Sequence, residues 1–399
     1  MSDKLAKLSN LSKNYPASGI RKMFDIAAKY TSEGGGADII NMTVGEPNFD
    51  TPEYIREAAK KAIDDGFTRY SPNAGMPVFR QAVAEKYQKY STDYTMNNVI
   101  ITVGALEGLT LAILTLMNPG DEMIVQDPCF PNYFGQTMIN GVKAVPVPCY
   151  EENDFAIMAA DIEKAITPKT KAILLNSPSN PLGSIIPESE IRKICDLAVK
   201  YDLFIFSDEP YDSIVYDGEE FFSPGQVDEV RDRVIVMNSL SKSYAMTGWR
   251  VGYLLADAAY IPKMAQIQEG MVSCVSSFSQ VAGAAALRGP QEATQNMVKE
   301  YARRRDLLID GLNAIPGITC KKSKGSFYAF ANVKAFGKTS QEFAEEMIKY
   351  AHVIAVPGSA FGSMGEGYIR FVFANSDENI IEAVKRIDAF VREHYPDVK

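Results

Sequence analysis

The chain has 399 residues, 46% hydrophobic and 23% charged, with a net charge of −9. That is ordinary globular composition with room for two or three domains, and the acidity disfavours a nucleic-acid partner, which would favour a basic stripe. No apolar run reaches the roughly 18 residues of a membrane span, the polar N-terminus has no signal-peptide core, and two histidines with five scattered cysteines argue against a metal centre, a Ser-His-Asp triad or a disulfide scaffold. The expectation is a reduced, cytoplasmic protein with no membrane or metal partner.

Residues 1–45 are mixed: a short helix over 5–15, a helical pattern over 23–30 ended by Gly34-Gly35-Gly36, and a strand over 39–44 turned by Gly45-Glu46-Pro47. A helix over 51–66 follows, with Thr51 at its cap and Pro52 in its first turn. Apolar runs then alternate with amphipathic stretches. Strands are expected at 99–103, 123–126, 144–147, 172–176, 203–207, 234–238 and 251–255, and helices at 76–90, 106–117, 134–140, 159–166 and 188–201. Such alternation predicts a mostly parallel seven-stranded sheet in a three-layer α/β/α domain. Past residue 255 the rhythm changes. A helix over 258–272, a run of small residues over 273–286, and a long helix over 290–315 lead to Pro316-Gly317. Strands at 318–321, 327–332 and 369–373 and helices at 340–351 and 378–393 describe a smaller α+β domain. The expected division gives 46–290 to the large domain and 1–45 with 291–399 to the small one.

Several strand ends carry unusual polar loops. The run 234–238 delivers Ser239, Ser241 and Lys242 into a loop, with Arg250 eight residues beyond the lysine. A desolvated lysine loses proton affinity and its amine condenses with carbonyls, while hydroxyls and a guanidinium suit a phosphate dianion. Together they suggest a Schiff-base lysine beside a phosphate-bearing aldehyde, which is pyridoxal phosphate (PLP); alone, the stretch also fits a surface lysine in a polar turn. Gly104-Ala105-Leu106 opens a helix after a strand, where backbone N–H groups and the helix dipole favour an anion, or is an ordinary turn. Asp208-Glu209-Pro210-Tyr211 follows a very apolar run, at the strand end where open sheets bind ligands. Its aspartate could pair with a protonated ring nitrogen or cap a helix, and Tyr211 could donate to the ring's phenolic oxygen. Prolines on both sides of Asn180 fix its backbone and aim its amide, though a plain turn has the same composition. Phe130 in the 127–133 loop could stack on a planar ring or pack in the core. Arg370 suits an amino-acid carboxylate, or is a solvated edge-strand arginine.

In order and chemistry these loops resemble the class I/II aminotransferases of PLP fold type I, over nearly the whole chain. The marks are Ser239-Leu240-Ser241-Lys242 with Arg250, Asn180-Pro181-Leu182-Gly183, and Asp208-Glu209-Pro210-Tyr211. The resemblance implies that Lys242 is the Schiff-base lysine and proton-transfer base, that Asp208 pairs with the pyridine nitrogen, that Asn180 and Tyr211 hold the phenolic oxygen, and that Phe130 covers the ring. It implies a phosphate on Gly104, Ala105, Leu106, Ser239, Ser241 and Arg250, reached also by the partner subunit's Tyr70, hence a homodimer. Arg370 matches the arginine that grips the substrate α-carboxylate, beside Asn180 and Gly45, and 357–362 resembles the small-domain loop of the substrate pocket. The implied reaction is ping-pong transfer of an amino group from an L-amino acid to a 2-oxo acid, with 2-oxoglutarate the expected acceptor. Leu106 stands where some aspartate-using relatives place a lysine, so aromatic, branched or other neutral donors are supported at least as well as aspartate. A carbon–sulfur β-lyase would use the same residues. A non-catalytic PLP-binding sensor needs a DNA-binding domain, for which the segment before Gly45 is expected to be too short.

Overall fold

The computed structural model describes residues 7–16, 19–32, 38–91 and 93–399. The Gly34-Gly35-Gly36 stop and the start of the expected 5–15 helix lie outside these residues.

Among the described residues thirteen strands follow one another: β1 (Ile40–Asn41), β2 (Val99–Thr102), β3 (Glu122–Asp127), β4 (Lys143–Pro148), β5 (Thr170–Asn176), β6 (Phe204–Asp208), β7 (Val234–Ser239), β8 (Gly252–Leu255), β9 (Thr319–Cys320), β10 (Tyr328–Asn332), β11 (Val353–Ile354), β12 (Val356–Pro357) and β13 (Tyr368–Val372). The helices are α1 (Asn10–Asn14), α2 (Gly19–Ser32), α3 (Glu53–Asp64), α4 (Pro77–Tyr87), α5 (Gly104–Leu116), α6 (Asn132–Ile139), α7 (Ala159–Ala165), α8 (Glu188–Lys200), α9 (Ile261–Val272), α10 (Ser277–Arg288), α11 (Glu292–Asn313), α12 (Ser340–Glu346) and α13 (Asp377–His394).

The seven expected strands form one sheet in the order β2-β8-β7-β6-β5-β3-β4. Only β8 runs antiparallel to its neighbours. Alternate residues feed two apolar layers. Ile101, Ile173, Ile205 and Val236 pack with Phe79 and Val83 of α4 and Ile191 and Ile194 of α8. Ile100, Leu174, Phe206 and Ile235 pack with Leu109 and Ile113 of α5, Tyr133 of α6 and Met264 of α9. Burial on both faces is why these strands read as unbroken apolar runs; the edge strand β4, with Lys143 and Pro146 exposed, is the exception.

A second, antiparallel sheet has the order β12-β13-β10-β9. β1 pairs in parallel with β11 through Ile40 and Val353. Met23, Ile40 and Met42 thereby share an apolar cluster with Tyr301, Phe343 and Ile387. Among the described residues no helix is long and apolar enough to cross a membrane.

Besides adding the short strands β11 and β12, the structure departs from the sequence expectations in three helices. The small residues of 273–286 are not a plain connector: most of them form α10, which packs on α3 and α4. Serine and glycine are weak helix formers, so close packing rather than propensity holds this helix. A Cβ added at Gly283 would lie 2.7 Å from Phe79 Cζ. Thr51 does not cap α3; Pro52 is the N-cap residue, and Thr51 Oγ1 donates to the Ala245 carbonyl at 2.6 Å. The helix expected over 340–351 becomes a π-helical turn, Met347–Ala351, which ends at His352 with φ 53°.

Candidate active site

The C-terminal ends of β2, β3, β5, β6 and β7 open on one cleft of 490 Å³, the place where open α/β sheets receive ligands. Three groups, Arg370 buried and Lys242 and Asp208 largely so, give it its chemistry.

Lys242 lies three residues past β7, and its amine donates to the Gly45 carbonyl. Burial pushes that amine down to about 8, with Glu46 opposing the shift and Arg370 and Arg250 adding to it. A lysine of this basicity is partly neutral near pH 8 and can act as a nucleophile.

Asp208 is the last residue of β6. Tyr133 Oη donates to its Oδ2 at 2.5 Å, and its Oδ1 is buried without a partner among the described residues. Burial raises the carboxyl to about 6, while the Tyr133 hydrogen bond and Lys242 pull it down. Asn176 braces the neighbourhood: its Nδ2 donates to the Asp208 carbonyl at 3.0 Å and its Oδ1 accepts from the Asn180 N–H at 2.8 Å. The hydroxyls of Tyr211 and Tyr328 are 2.8 Å apart.

Arg370, 1% exposed, projects from β13. Its Nη1 donates to Asn180 Oδ1 at 3.1 Å and its Nη2 to the Thr43 carbonyl at 2.6 Å. The guanidinium carbon lies 4.7 Å from the Tyr328 ring centroid and 4.8 Å from that of Phe361. Nε is buried and has no partner among the described residues. These acceptors are neutral, so the buried cation gains most from an anion entering the cleft.

A second cradle lies where α5 begins. Gly104 has φ +75°, and a Cβ there would sit 2.5 Å from Arg250 Nη2, so glycine is what lets the guanidinium approach the helix start. Arg250 Nη1 donates to the Thr247 carbonyl at 3.0 Å. Ala105, Leu106, Ser239, Ser241 and Arg250 all line the cleft. Free N–H groups at a helix N-terminus, two hydroxyls and a guanidinium make a donor set for a dianion.

Most residues singled out from the sequence thus meet in one place. Gly45, Ala105, Leu106, Phe130, Asn180, Asp208, Tyr211, Ser239, Ser241, Lys242, Arg250 and Arg370 line the cleft, and Gly104 lies just behind its wall. Tyr70 does not line it; the side chain is 92% exposed. Residues 357–362 do not line it either, and Phe361 instead backs Arg370. Tyr133, Tyr328 and Asn176 were not selected from the sequence. Tyr133 sits three residues past Phe130 in the same strand-end stretch, its N–H donating to the Phe130 carbonyl at 3.0 Å, and its place in that stretch is a usable signal. Asn176 ends an apolar strand. Tyr328 carries no local signal, because only the pairing of β10 with β13 brings it near Arg370.

The sequence model of the aminotransferase class I and II family matches residues 37–387. The chain belongs to this family. Aromatic-amino-acid aminotransferase 2 of Thermococcus litoralis is 42% identical over 94% of this chain and 96% of that protein. An aspartate aminotransferase of Pyrococcus horikoshii is 40% identical over 93% and 94%. The crystal structure of the aspartate aminotransferase from Rhizobium meliloti superposes with a TM-score of 0.92 at 35% identity, covering 96% of this chain and 98% of that one. The protein is therefore an aminotransferase of fold type I, and its cofactor is pyridoxal phosphate. The residues present fit that cofactor. Asp208 offers a buried, unpaired acceptor, Lys242 an amine of lowered basicity, and the start of α5 an anion cradle.

Proposed function

We propose that this aminotransferase carries an amino group from an L-amino acid to 2-oxoglutarate or a related 2-oxo acid, with Lys242 as nucleophile and proton carrier. The observation that supports it is the convergence of Lys242, Asp208 and Arg370 in one cleft. Asp208 holds the ring nitrogen, Asn180 and Tyr211 the phenolic oxygen, and Phe130 the ring face. Gly104, Ala105, Leu106, Ser239, Ser241 and Arg250 hold the phosphate. Arg370 binds the substrate α-carboxylate, with Asn180 and the Gly45 backbone beside it.

When bound, PLP supplies an electron sink for the charge left as a substrate α-proton departs. Lys242 Nζ takes that proton and gives it back, and a basicity near the working pH suits both directions. A cation beside Asp208 favours its ionised form, so the carboxylate in turn favours a protonated ring. Arg370 orients the donor, and burial of its guanidinium strengthens the contact.

A homodimer is part of the proposal, with the partner subunit's Tyr70 completing the phosphate site. The extreme exposure of Tyr70 supports it, as do the exposed apolar side chains of Phe67, Met271 and Val272 nearby. Ser277 Oγ ties the two segments by donating to the carbonyls of Phe67 and Arg69. Division into two bodies near residue 290 belongs to the same reading: Ala286 packs with the large sheet, and Met297 and Tyr301 pack with the small one. So does a cytoplasmic setting, from the scattered and odd-numbered cysteines.

Single L-amino acids added to the pure holoenzyme without acceptor test the proposal. Conversion of the yellow form to the colourless pyridoxamine form is expected, with one 2-oxo acid released per cofactor converted. A spectrum unchanged by every donor, or continuous formation of pyruvate and ammonia from a cysteine-like substrate, would overturn it.

A further inference from the structure

Between α4 and the central sheet lies a buried polar cluster, none of whose members lines the cleft. Lys86 of α4 donates to Asp212 Oδ2 at 2.6 Å and to Tyr253 Oη at 3.0 Å. The Asp212 side chain is 4% exposed and that of Lys86 18%. Asn238 Nδ2 donates to the same Asp212 Oδ2 at 3.0 Å and to Tyr87 Oη at 3.3 Å. The Asn238 Oδ1 accepts from the Ser239 N–H at 2.7 Å.

We propose that Lys86, Asp212 and Asn238 form a positioning clasp that sets the spacing between the ring-holding and phosphate-holding ends of the cofactor site. Asp212 follows Tyr211 directly, in the segment that leaves β6 at Asp208. Asn238 precedes Ser239 directly, at the end of β7. One carboxylate oxygen therefore joins the two segments, and the Asn238 amide passes the constraint to the Ser239 backbone. A rigid cofactor held at both ends needs that spacing set in advance, because a site that must be ordered on binding loses affinity.

The choice of charged residues points the same way. Burying both members of an ion pair costs about as much as their attraction returns, so apolar packing would serve stability equally well. Charge-assisted hydrogen bonds add a defined geometry that apolar contact lacks. Lys86 anchors Asp212 in one orientation, and Tyr253, directly opposite Asn238 on the neighbouring strand β8, holds Lys86 in turn.

The clasp rests on the cofactor assignments proposed above. It is tested by PLP affinity of the apo-protein, thermal unfolding of the apo-protein, and the visible band of PLP bound at Lys242. Asn238→Ala cuts the link while leaving Lys86 and Asp212 paired. The double substitution Lys86→Met with Asp212→Leu removes both charges and leaves neither one buried alone. Each variant should fold, and each should bind PLP about tenfold more weakly, which corresponds to one lost hydrogen bond of ordinary strength or slightly more. The visible band should shift in pH dependence as Lys242 and the ring lose register. Wild-type affinity in either variant, or a loss that merely follows the folded fraction, would overturn the clasp. A wild-type protein that failed to bind PLP through Lys242 would overturn the cofactor assignments instead.

Discussion

Lys242 and Asp208 stand in one cleft, yet burial moves them in opposite chemical directions. The lysine is made easier to deprotonate, about 8 against an ordinary 10.5, and the aspartate harder, about 6 against 3.8. Each shift disfavours the charged form, as desolvation must. The lysine shift has a kinetic consequence whose sign is fixed. Below about pH 8 the amine is protonated and cannot condense with an aldehyde; above it the amine is free. The rate at which the apo-protein takes up PLP should therefore rise through about pH 8 and level off above it. A rise centred near 10.5 in stopped-flow absorbance would mean an ordinary, solvated lysine. At this scale Lys242, Asp208 and Arg370 were legible because charged residues at the ends or starts of apolar strands are conspicuous. Tyr133 and Tyr328 were not, because a buried tyrosine looks like core until its hydroxyl partner is known.

The elements divide along a similar line. All seven strands of the central sheet could be read: burial on both faces leaves continuous apolar runs in all but the edge strand β4, whose Lys143 and Pro146 are exposed and whose Val147 alone is buried. Helix α10 could not, since Ser, Gly and Ala in 273–286 carry almost no amphipathic signal. What makes it a helix is a neighbour far away in sequence. Phe79 of α4 occupies the space that a side chain at Gly283 would fill. Gly283→Val should thus lower the stability of the apo-protein by about 1–3 kcal/mol, through overpacking against the ring. Urea unfolding reads this directly, and an unchanged midpoint would contradict the packing. Strands β11 and β12 escaped notice for a simpler reason: two residues each are too few for alternation to register.

For the whole molecule, the question is whether one chain completes its own site. Tyr70 points into solvent in the isolated chain and does not line the cleft of its own subunit. The proposed dimer makes a specific prediction about mixtures. Lys242→Ala removes the nucleophile of one site, and Tyr70→Phe removes a phosphate contact of the opposite one. A mixed dimer of the two variants has one site with both defects and one with neither. Subunit exchange should therefore restore tight PLP binding to one site per dimer, above the level of the Tyr70→Phe variant alone. If Tyr70 served its own chain, or the protein sedimented as a monomer, mixing would restore nothing.

The most direct measurement is borohydride reduction of the holoenzyme followed by peptide mapping. Lys242 should carry the reduced phosphopyridoxyl group. Lys242→Ala should carry none and should lose turnover by about a thousandfold or more, the range of a lost proton-transfer group. An adduct on a different lysine, or a Lys242→Ala protein that turns over normally, would contradict the role given to this residue.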